Sequence, residues 1–402
     1  MALDLNKTAL QVRDMASQIS ARQSDWQAKL RTALDAMSSA DAQAVEEKRQ
    51  RSKVEDTWFV PQIADSINGR YAAPNLPADF SVLAVDGSHI DVDRHAAARC
   101  YLINIGGCRL TYGSLPDAEL FSKPALHASE DDLVLRNPTD STREQSIEGA
   151  VLGFKRTVEE VKALAQLCGQ SPLDTPALAL VDGSLIMLGL VGHGYPDFVS
   201  EILLTQYLSA FDEMRAIAQK MRLALASYVS FPRSTDLINV LRLKACTFEK
   251  ADCSINCKDK RPGQRPCDAV GGLLDRNVIE KWLEPGERSD VFKSTSSIVN
   301  NYYREHHVHF FYVNVGTEIG RVEVPQWVAE DESLLGLTHA VILDQCRKGQ
   351  GYPVALMESH EQAVVTGSDR LRFMEIVNGA LAKGRLPAFS SAKSMSKRVR
   401  WM

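Results

Sequence analysis

Residues 177–184 have the sequence Ala177-Leu178-Ala179-Leu180-Val181-Asp182-Gly183-Ser184. Five consecutive apolar residues followed by an Asp-Gly pair are typical of a buried strand that ends in a turn. The same ending follows the apolar residues 82–84, at Val85-Asp86-Gly87-Ser88. The two stretches predict two buried strands, each of which places an aspartate at the point where the strand ends.

Helical patterns separate further predicted strands. Runs of β-branched and apolar residues predict strands at residues 101–105, 309–315 and 320–325. Apolar residues at helical spacing predict helices at residues 142–167, 202–225 and 334–348. Residues 112–140 contain three prolines and predict an irregular loop. A strand at residues 352–357 and helices after Ser359 and Ser368 complete an alternation that predicts an α/β fold.

Composition limits the class of protein. The chain has 402 residues, of which 45% are hydrophobic and 24% charged, enough for two or three structural units. The formal net charge of −5 excludes a protein that holds nucleic acid by overall positive charge. The first residues lack the basic-then-apolar order of a secretory signal, and no apolar run approaches the roughly 20 residues that cross a bilayer. We therefore expect a cytoplasmic protein without membrane contact, whose eight cysteines are reduced.

The beginning of the chain has a helical composition. Residues 1–57 contain no proline or glycine and predict a long N-terminal helical segment. Apolar residues recur every seven positions from Leu5 to Trp26. Such a seam is covered either by the helix's own domain or by a helix of another chain.

Two further regions follow this segment. Residues 58–382 form the predicted α/β domain, with an inserted loop at about residues 246–272. The remaining residues, 383–402, contain six basic and no acidic residues. This basic C-terminal tail is either a contact for a polyanion or a flexible, solvated end.

Several carboxylates have the spacing of a metal site. Asp86 and Asp182 end buried strands, and ligands of open α/β sheets bind at that edge. The predicted helix at residues 142–167 offers Glu144 and Glu148 one turn apart on the same face. An ordinary Asp-Gly turn and a solvated helix face are the structural alternatives.

A histidine could add a ligand of a different kind. Residues 359–362 have the spacing of a capping box, which places His360 and Glu361 in the opening turn of a helix. Imidazole beside carboxylates is a ligand for Mn²⁺, and a surface histidine is the alternative. Carboxylates that hold Mn²⁺ or Mg²⁺ are the usual site of phosphodiester hydrolysis, because the cation activates water and offsets charge on the phosphate. The sequence has neither a Gly-x-Ser-x-Gly elbow nor a P-loop, so it does not indicate acyl transfer or ATP hydrolysis.

Four of the cysteines are clustered. Cys246, Cys253, Cys257 and Cys267 lie within 22 residues. Four thiolates could bind Zn²⁺ or an iron–sulfur cluster, although the spacing matches neither the paired Cys-x-x-Cys zinc pattern nor the ferredoxin pattern. Free cysteines in a basic loop are the alternative.

The same region is positively charged. Residues 242–267 contain seven basic and three acidic residues. Lys258, Lys260, Arg261 and Arg265 are therefore candidate contacts to a DNA backbone, with a solvated loop as the alternative.

Five parts of the chain together resemble a known family. They are residues 84–88, 180–185, 227–233, 310–314 with 318–323, and 351–356 with His360-Glu361. In this order they resemble the NurA nucleases, which resect DNA ends beside the HerA translocase. The resemblance extends from about residue 80 to about residue 377.

The resemblance has implications for fold and activity. It implies an RNase H-like mixed sheet flanked by helices, and a ring-shaped homodimer. It also implies Mn²⁺-dependent (or Mg²⁺-dependent) cleavage of DNA, with 5′-to-3′ exonuclease and single-strand endonuclease activity. The partner would be a separate HerA-like hexameric ATPase, in DNA end processing or defence.

Family position also implies the role of individual residues. Asp86 resembles the first-strand metal ligand, Asp182 the second-strand ligand and His360 the late histidine. Glu148 resembles the helix ligand, and Glu144 is the alternative to it.

Two other residues and two other functions follow from the resemblance. Arg233 ends one of the matching motifs and is a candidate DNA contact, and Asp275 is a further carboxylate that could approach the site. The first alternative function is a non-catalytic scaffold for assembly of a HerA-like hexamer. The second is an RNase H-like nuclease that acts on RNA or branched DNA.

Overall fold

The computed structural model describes residues 4–54, 58–91, 98–171, 174–191, 194–261 and 263–385. The helices are α1 (Leu5–Ala21), α2 (Gln23–Ser38), α3 (Ala42–Arg51), α4 (Ala150–Gln170), α5 (Asp197–Ala218), α6 (Asp236–Ala245), α7 (Cys253–Asn256), α8 (Asp275–Trp282), α9 (Ser297–Tyr302), α10 (Gln326–Ala329), α11 (Glu332–Lys348), α12 (Val354–Ala363) and α13 (Gly367–Lys383). The strands are β1 (Gln62–Ile63), β2 (Tyr71–Ala72), β3 (Phe80–Ile90), β4 (Tyr101–Tyr112), β5 (Asp117–His127), β6 (Val134–Asn137), β7 (Asp140–Ser146), β8 (Ala177–Asp182), β9 (Leu223–Val229), β10 (Glu287–Arg288), β11 (Phe292–Lys293), β12 (Val308–Asn314) and β13 (Ile319–Pro325). A short 3₁₀ helix covers Pro266–Ala269. None of the helices described is long and apolar enough to span a membrane.

The chain divides into two compact units. The first consists of residues up to 73, residues 229–297 and residues 309–322, and the second of residues 74–228, residues 298–308 and the residues from 323 onward. Each unit therefore draws on segments that are distant in sequence. The domain boundaries at residues 57 and 382 stay a prediction, and most of the basic tail, residues 386–402, lies outside the described residues.

The second unit is built on a mixed sheet. Its strand order is β9-β8-β3-β4-β5. β3, β4 and β5 form an antiparallel meander, whereas β8 is parallel to β3 and β9 is parallel to β8. Between β5 and β8 the chain forms α4, and between β8 and β9 it forms α5. This order, these directions and these intervening helices are those of the RNase H-like fold, which confirms the predicted fold class.

Helices cover both faces of this sheet. Val158 and Val161 of α4 and Phe211 of α5 share one core with Leu83 and Val181 of the strands. Fully burying an apolar side chain of this size contributes about 1.5–3 kcal/mol, so the core holds α4 firmly against the sheet. The helix α12 also packs against β3 and β4.

The first unit combines the N-terminal helices with shorter strands. β11 pairs with β1 and β12, and β10 pairs with β12 and β2. Leu30 and Met37 of α2, Leu241 of α6 and Phe310 of β12 lie in its core. The burial of these residues joins the first helices of the chain to strands more than 250 residues away in sequence.

The N-terminal segment is helical, as predicted, but it is three helices and not one. Asp41 begins α3 by accepting a hydrogen bond from the backbone N of Ala44 at 3.1 Å, which stops α2 from continuing. The residues of the seven-residue pattern from Leu5 to Trp26 are exposed. The buried residues of α2 follow them, at Leu30, Ala33 and Met37.

The irregular loop predicted for residues 112–140 was wrong. This segment contains β5 and β6, and Pro124 lies inside β5 opposite Asn104 of β4. Because β5 is an edge strand, it needs hydrogen bonds on one side only, and the missing N–H of a proline is tolerated there.

Candidate active site

The two Asp-Gly-Ser triplets lie on adjacent strands. Val85 of β3 pairs with Val181 of β8, so Asp86 and Asp182 occupy neighbouring positions at the next residue of each strand. Asp182 is the last residue of β8, as predicted, and it is exposed. Asp86 is different, because β3 continues beyond it to Ile90 and its side chain is only 16% exposed.

The imidazole of His360 contacts the first of these aspartates. Its Nδ1 lies 2.7 Å from Oδ2 of Asp86. The packing of α12 on β4 explains this contact: Gly106 pairs with Asp86 across the sheet, and a Cβ on Gly106 would lie 2.1 Å from the backbone N of Ala363. Asn104 reinforces the contact by donating from Nδ2 to the carbonyl of Ala363 at 2.9 Å.

The local structure around His360 differs from the prediction. Residues 354–357 are helical, not extended, and His360 lies in the last turn of α12, not in an opening turn. The reason is that Pro353 begins this helix one turn earlier, with a φ of −59° that suits a helix start. The spacing that suggested a capping box at Ser359 falls in the interior of the helix.

A tyrosine contacts the second aspartate. The hydroxyl of Tyr352 donates to Oδ1 of Asp182 at 2.7 Å, and its ring packs edge-on against Tyr228 of β9. Tyr352 belongs to a matching motif, but the sequence analysis assigned it no role. The signal that could have identified Tyr352 is the position of its hydroxyl-bearing side chain directly before the proline at which α12 begins.

A buried carboxylate from α4 completes the group. The side chain of Glu160 is 11% exposed and packs against Gly87, where a Cβ would lie 2.5 Å from Oε1. Burial, and then the negative charges of Asp86 and Asp182, raise the pKa of Glu160 to about 8, while Arg156 opposes the shift. The electrostatic effect of both aspartates shows that Glu160 shares their environment.

The helix face predicted for Glu144 and Glu148 does not exist. Glu144 lies in β7, and Glu148 precedes the first residue of α4. The reason is that Gly149, with a φ of 56°, separates the β6–β7 hairpin from the helix. The ligand role of Glu148 stays a prediction, although its helical premise was wrong, and the sequence analysis missed Glu160. The signal for Glu160 was an acidic residue between the core positions of α4.

A buried glutamate fixes the loop that follows Asp182. Glu323 of β13 is 2% exposed and accepts hydrogen bonds from the hydroxyl of Ser184 at 2.7 Å and from the backbone N of Leu185 at 2.9 Å. Gly183 has a φ of 81°, which only glycine adopts readily. The second triplet is therefore a true turn, whose serine fixes the loop and whose aspartate stays accessible.

The oxygens at this site attract a cation. Oε1 of Glu160 is buried without a hydrogen bond, although Nη1 of Arg156 lies 3.0 Å from it. The same Nη1 also contacts the carbonyl oxygen of Gly87. A guanidinium among carboxylate and carbonyl oxygens shows that the site favours positive charge, and hard divalent cations prefer oxygen ligands. The carboxylates of Asp86, Glu160 and Asp182 do not bring three ligand atoms within 4.8 Å of one another, so a cation would have to draw them together.

A second acidic group lies elsewhere in the same unit. Asp212, Glu305 and His306 bring three ligand atoms within 4.8 Å of one another, and this is the one such group in the described part of the chain. Nε2 of His306 lies 2.8 Å from Oδ1 of Asp212, and Arg215 contacts Glu305. The sequence analysis did not predict this group, and its glutamate already has a cationic partner.

The clustered cysteines and the predicted DNA contacts lie in the first unit. All four cysteines of the cluster are free, and Cys257 and Cys267 are buried. The basic residues differ in exposure: Arg233, Lys258 and Arg261 are exposed, Lys260 lies over the ring of Phe248, and Arg265 is half-buried.

Asp275 has a structural role. It is fully buried, accepts a hydrogen bond from the backbone N of Ile238 at 2.8 Å and contacts the hydroxyl of Tyr312. Burial, and then the charge of Asp236, raise the pKa of Asp275 to about 6. These contacts hold the start of α6 against β12, within the first unit.

Comparison with known proteins identifies the family. The family model described as the NurA domain matches residues 80–365. The chain belongs to the NurA family. The match contains Asp86, Glu160, Asp182, Tyr352 and His360, and it confirms the resemblance seen in the sequence. NurA proteins are a family of nucleases, so the site lies in a nuclease domain.

Two other comparisons were made for this NurA protein. No curated protein sequence matches the chain. Among solved structures, it is similar to LC9-RNase H1, described as a type 1 RNase H with the type 2 active-site motif. The identity is 9%, the match covers 42% of this chain and 72% of that chain, and the TM-score is 0.21. The assignment of the fold comes from the strand order described above.

Proposed function

We propose that this NurA protein is a deoxyribonuclease that requires Mn²⁺ or Mg²⁺ and cleaves DNA at the site formed by Asp86, Glu160 and Asp182. The observation that carries the proposal is the buried carboxyl group of Glu160 beside the aspartates of two adjacent strands. Burial and the charges of Asp86 and Asp182 disfavour the ionised form of Glu160, and a bound cation would offset both effects. Membership of a nuclease family supports the same reaction class.

The carboxylates of Asp86, Glu160 and Asp182 would hold the cation. A divalent cation supplies an activated water and offsets the charge that develops on the phosphate. Nη1 of Arg156 lies 3.0 Å from Oε1 of Glu160 and also contacts the carbonyl oxygen of Gly87, so a guanidinium already occupies part of this oxygen-rich site. Gly87, which has no side chain, leaves room for the carboxylate.

His360 is placed to move a proton. Its Nδ1 faces the carboxylate of Asp86, so Nδ1 carries a proton and donates to Oδ2. The side chain is 60% exposed, so Nε2 is accessible to water and can exchange a proton with it. Tyr352 orients Asp182 by donating to Oδ1, which leaves Oδ2 for a ligand.

The finer properties of this activity come from the resemblance. They are 5′-to-3′ exonuclease and single-strand endonuclease activity, a homodimer, a HerA-like hexameric ATPase as partner, and a cytoplasmic role in DNA end processing or defence. Arg233, Lys258, Lys260, Arg261 and Arg265 would contact the DNA backbone, since exposed cations position phosphates without reading sequence.

The experiment measures cleavage of labelled single-stranded DNA, double-stranded DNA and RNA by the purified chain with Mn²⁺, Mg²⁺ or EDTA. We expect cleavage of DNA that needs the cation and is lost in Asp86→Asn and Glu160→Gln. Glu159→Gln is the matched control, because Glu159 is the adjacent acidic residue of α4 and pairs with Lys155 and Lys162. Cleavage of RNA in preference to DNA would favour the RNase H-like alternative. Binding of a HerA-like hexamer by a folded chain that cleaves nothing in its presence would favour the scaffold.

A further inference from the structure

Four free cysteines converge in one part of the first unit. Cys246 directly follows α6, Cys253 and Cys257 lie at the two ends of α7, and Cys267 lies in the 3₁₀ helix that packs on α6. Four thiols are thus supplied by three different local elements. Nothing in the nuclease site uses them.

The thiols are neighbours in space. The backbone N of Cys257 donates to the carbonyl of Cys253 at 3.2 Å. The backbone N of Cys246 donates to the carbonyl of Arg242 at 3.0 Å, and Nη2 of the same arginine lies 4.0 Å from Sγ of Cys267. Burial raises the pKa of the Cys253 thiol, and the other three thiols of the cluster raise it further. Cys246 and Cys253 both pack against the core of this unit, and Cys257 and Cys267 are 7% and 5% exposed. The cluster is therefore largely protected from water, and none of its members forms a disulfide.

Two half-buried arginines lie beside the cluster. Nη2 of Arg242 lies 4.0 Å from Sγ of Cys267, and the guanidinium packs over the ring of Trp58 at 4.3 Å. Nε of Arg242 and Nε of Arg265 are buried without a hydrogen bond, and neither arginine forms an ion pair with a described residue. Negative charge gained by the cluster would therefore meet two cations that no ion pair already neutralises.

We propose that Cys246, Cys253, Cys257 and Cys267 together bind one soft metal centre, either Zn²⁺ or an iron–sulfur cluster, through four thiolates. Each thiol loses its proton to solvent on binding, and the binding of Zn²⁺ transfers no electron. Four thiolates around Zn²⁺ carry a net charge of about −2, which the half-buried cations Arg242 and Arg265 would offset. An iron–sulfur cluster would need sulfide and iron that is at least partly ferric as added reactants, and it is held by the same four thiolates.

The local fold is suited to such a site. α7 and the 3₁₀ helix are each four residues long, so the segment has little regular structure of its own. The sulfur atoms do not form a group of three within 4.8 Å, so the metal would draw them together as it binds. Metal binding that orders a small segment in this way contributes to folding stability.

The first test measures the metal content of the full chain by mass spectrometry, in the Asp86→Asn background so that the nuclease site does not contribute. We expect about one zinc per chain, or iron and acid-labile sulfide in equal amounts with visible absorbance. Each of the four Cys→Ala variants in the cluster should lose most of this metal. Cys168→Ala is the matched control, because Cys168 is a buried free cysteine outside the cluster.

A second measurement uses the unmutated cysteines, in case a variant does not fold. The cluster thiols should react slowly with a thiol reagent in the native chain and rapidly after a chelator has removed the metal, with a lower Tm. A chain that binds no metal when supplied with Zn²⁺, or with iron and sulfide, under reducing conditions would overturn the proposal. So would full metal content in all four variants. Both readouts are made without DNA, so they do not depend on the nuclease proposal.

Discussion

Glu160 packs against Gly87 so closely that a Cβ at residue 87 would lie 2.5 Å from the carboxylate oxygen. β3 continues past this residue, and Gly87 does not have a positive φ. The glycine of the first triplet is therefore needed for the approach of a helix, whereas the glycine of the second triplet, Gly183, is needed for a turn. The Asp-Gly-Ser sequence therefore needs its glycine for close packing of a helix in the first triplet and for a turn in the second.

Substitution of Gly87 tests this relationship. Gly87→Ala should displace Glu160 and lower Mn²⁺-dependent cleavage by about 10–100-fold, the range expected when the support of a metal ligand is disturbed. The rate of DNA cleavage and the affinity for Mn²⁺ check this result. Ser88→Ala is the matched control, because it changes the next residue of β3 without adding a side chain against α4. Wild-type cleavage by Gly87→Ala would contradict the steric argument.

Metal affinity should depend on pH through Glu160. Its pKa is raised from 4.5 to about 8 in the folded chain, mainly by burial. The protonated carboxyl therefore stabilises the metal-free fold below about pH 4.5, and this contribution is lost as the pH rises through about 8. Because a cation binds the carboxylate, Mn²⁺ binding should release a proton in this window, and affinity should rise with pH towards 8.

Calorimetry can count this proton. Mn²⁺ titrations in two buffers of different ionisation enthalpy should show about one proton released near neutral pH, and the release should disappear in Glu160→Gln. The same count in both proteins would show that another group titrates.

His360 should affect the rate of the reaction more than the binding of metal. His360→Gln should lower kcat by about 10²–10⁴-fold, the usual effect of removing a positioned proton carrier. The measurement is single-turnover cleavage at saturating Mn²⁺ together with the Kd for Mn²⁺. A large rise in Kd with little change in the rate would make His360 a metal ligand, which is the role that an imidazole beside carboxylates suggested in the sequence.

Tyr352 should act through Asp182. Tyr352→Phe removes the hydrogen bond to Oδ1 and should cost about 10–100-fold in metal affinity or activity. Tyr228→Phe is a useful comparison, because the two rings pack together in the same unit. Wild-type metal affinity and activity in Tyr352→Phe would indicate that ring packing, which this variant keeps, and not the hydrogen bond of Tyr352, supports the site.

Asp275 should affect stability and not cleavage. Tyr312→Phe removes a donor to the buried carboxylate and should lower the free energy of unfolding by about 1–3 kcal/mol, because it leaves a buried acceptor unsatisfied. Urea denaturation measures this change. If the folded variant also lost its metal-dependent cleavage, Asp275 would have the functional role that the sequence suggested.

Much of the fold could be predicted from the sequence, because the patterns that indicate its main strands are local. The residues that precede Asp86 and Asp182 are continuous apolar runs, and a short apolar run bounded by a turn signal is typical of a buried strand. Pro124 led to the wrong prediction of a loop. A proline is tolerated in β5 because β5 is an edge strand, and the order of strands in a sheet cannot be read from a local sequence pattern. His360 was placed in the wrong turn, because the capping pattern at Ser359 competed with the helix start at Pro353.

The site was predicted less completely than the fold. Asp86 and Asp182 could be recognised in the sequence because a glycine follows each of them. Glu160 could not be recognised in this way, since an acidic residue on a helix of mixed composition is usually solvated. Its burial depends on the glycine of a distant strand. Tyr352 was missed for the same reason: its partner is 170 residues away in sequence.

The packing of α12 on β4 also determines when the site is completed during synthesis of the chain. Asp86, Glu160 and Asp182 leave the ribosome early, but His360 contacts its partner 274 residues later in the chain. A nascent or truncated chain that stops before residue 352 therefore has the acidic residues without the histidine and the tyrosine. Full cleavage activity would begin only when synthesis has passed α12 and the helix has packed at Gly106, so an unfinished enzyme poses little danger to the cell's own DNA.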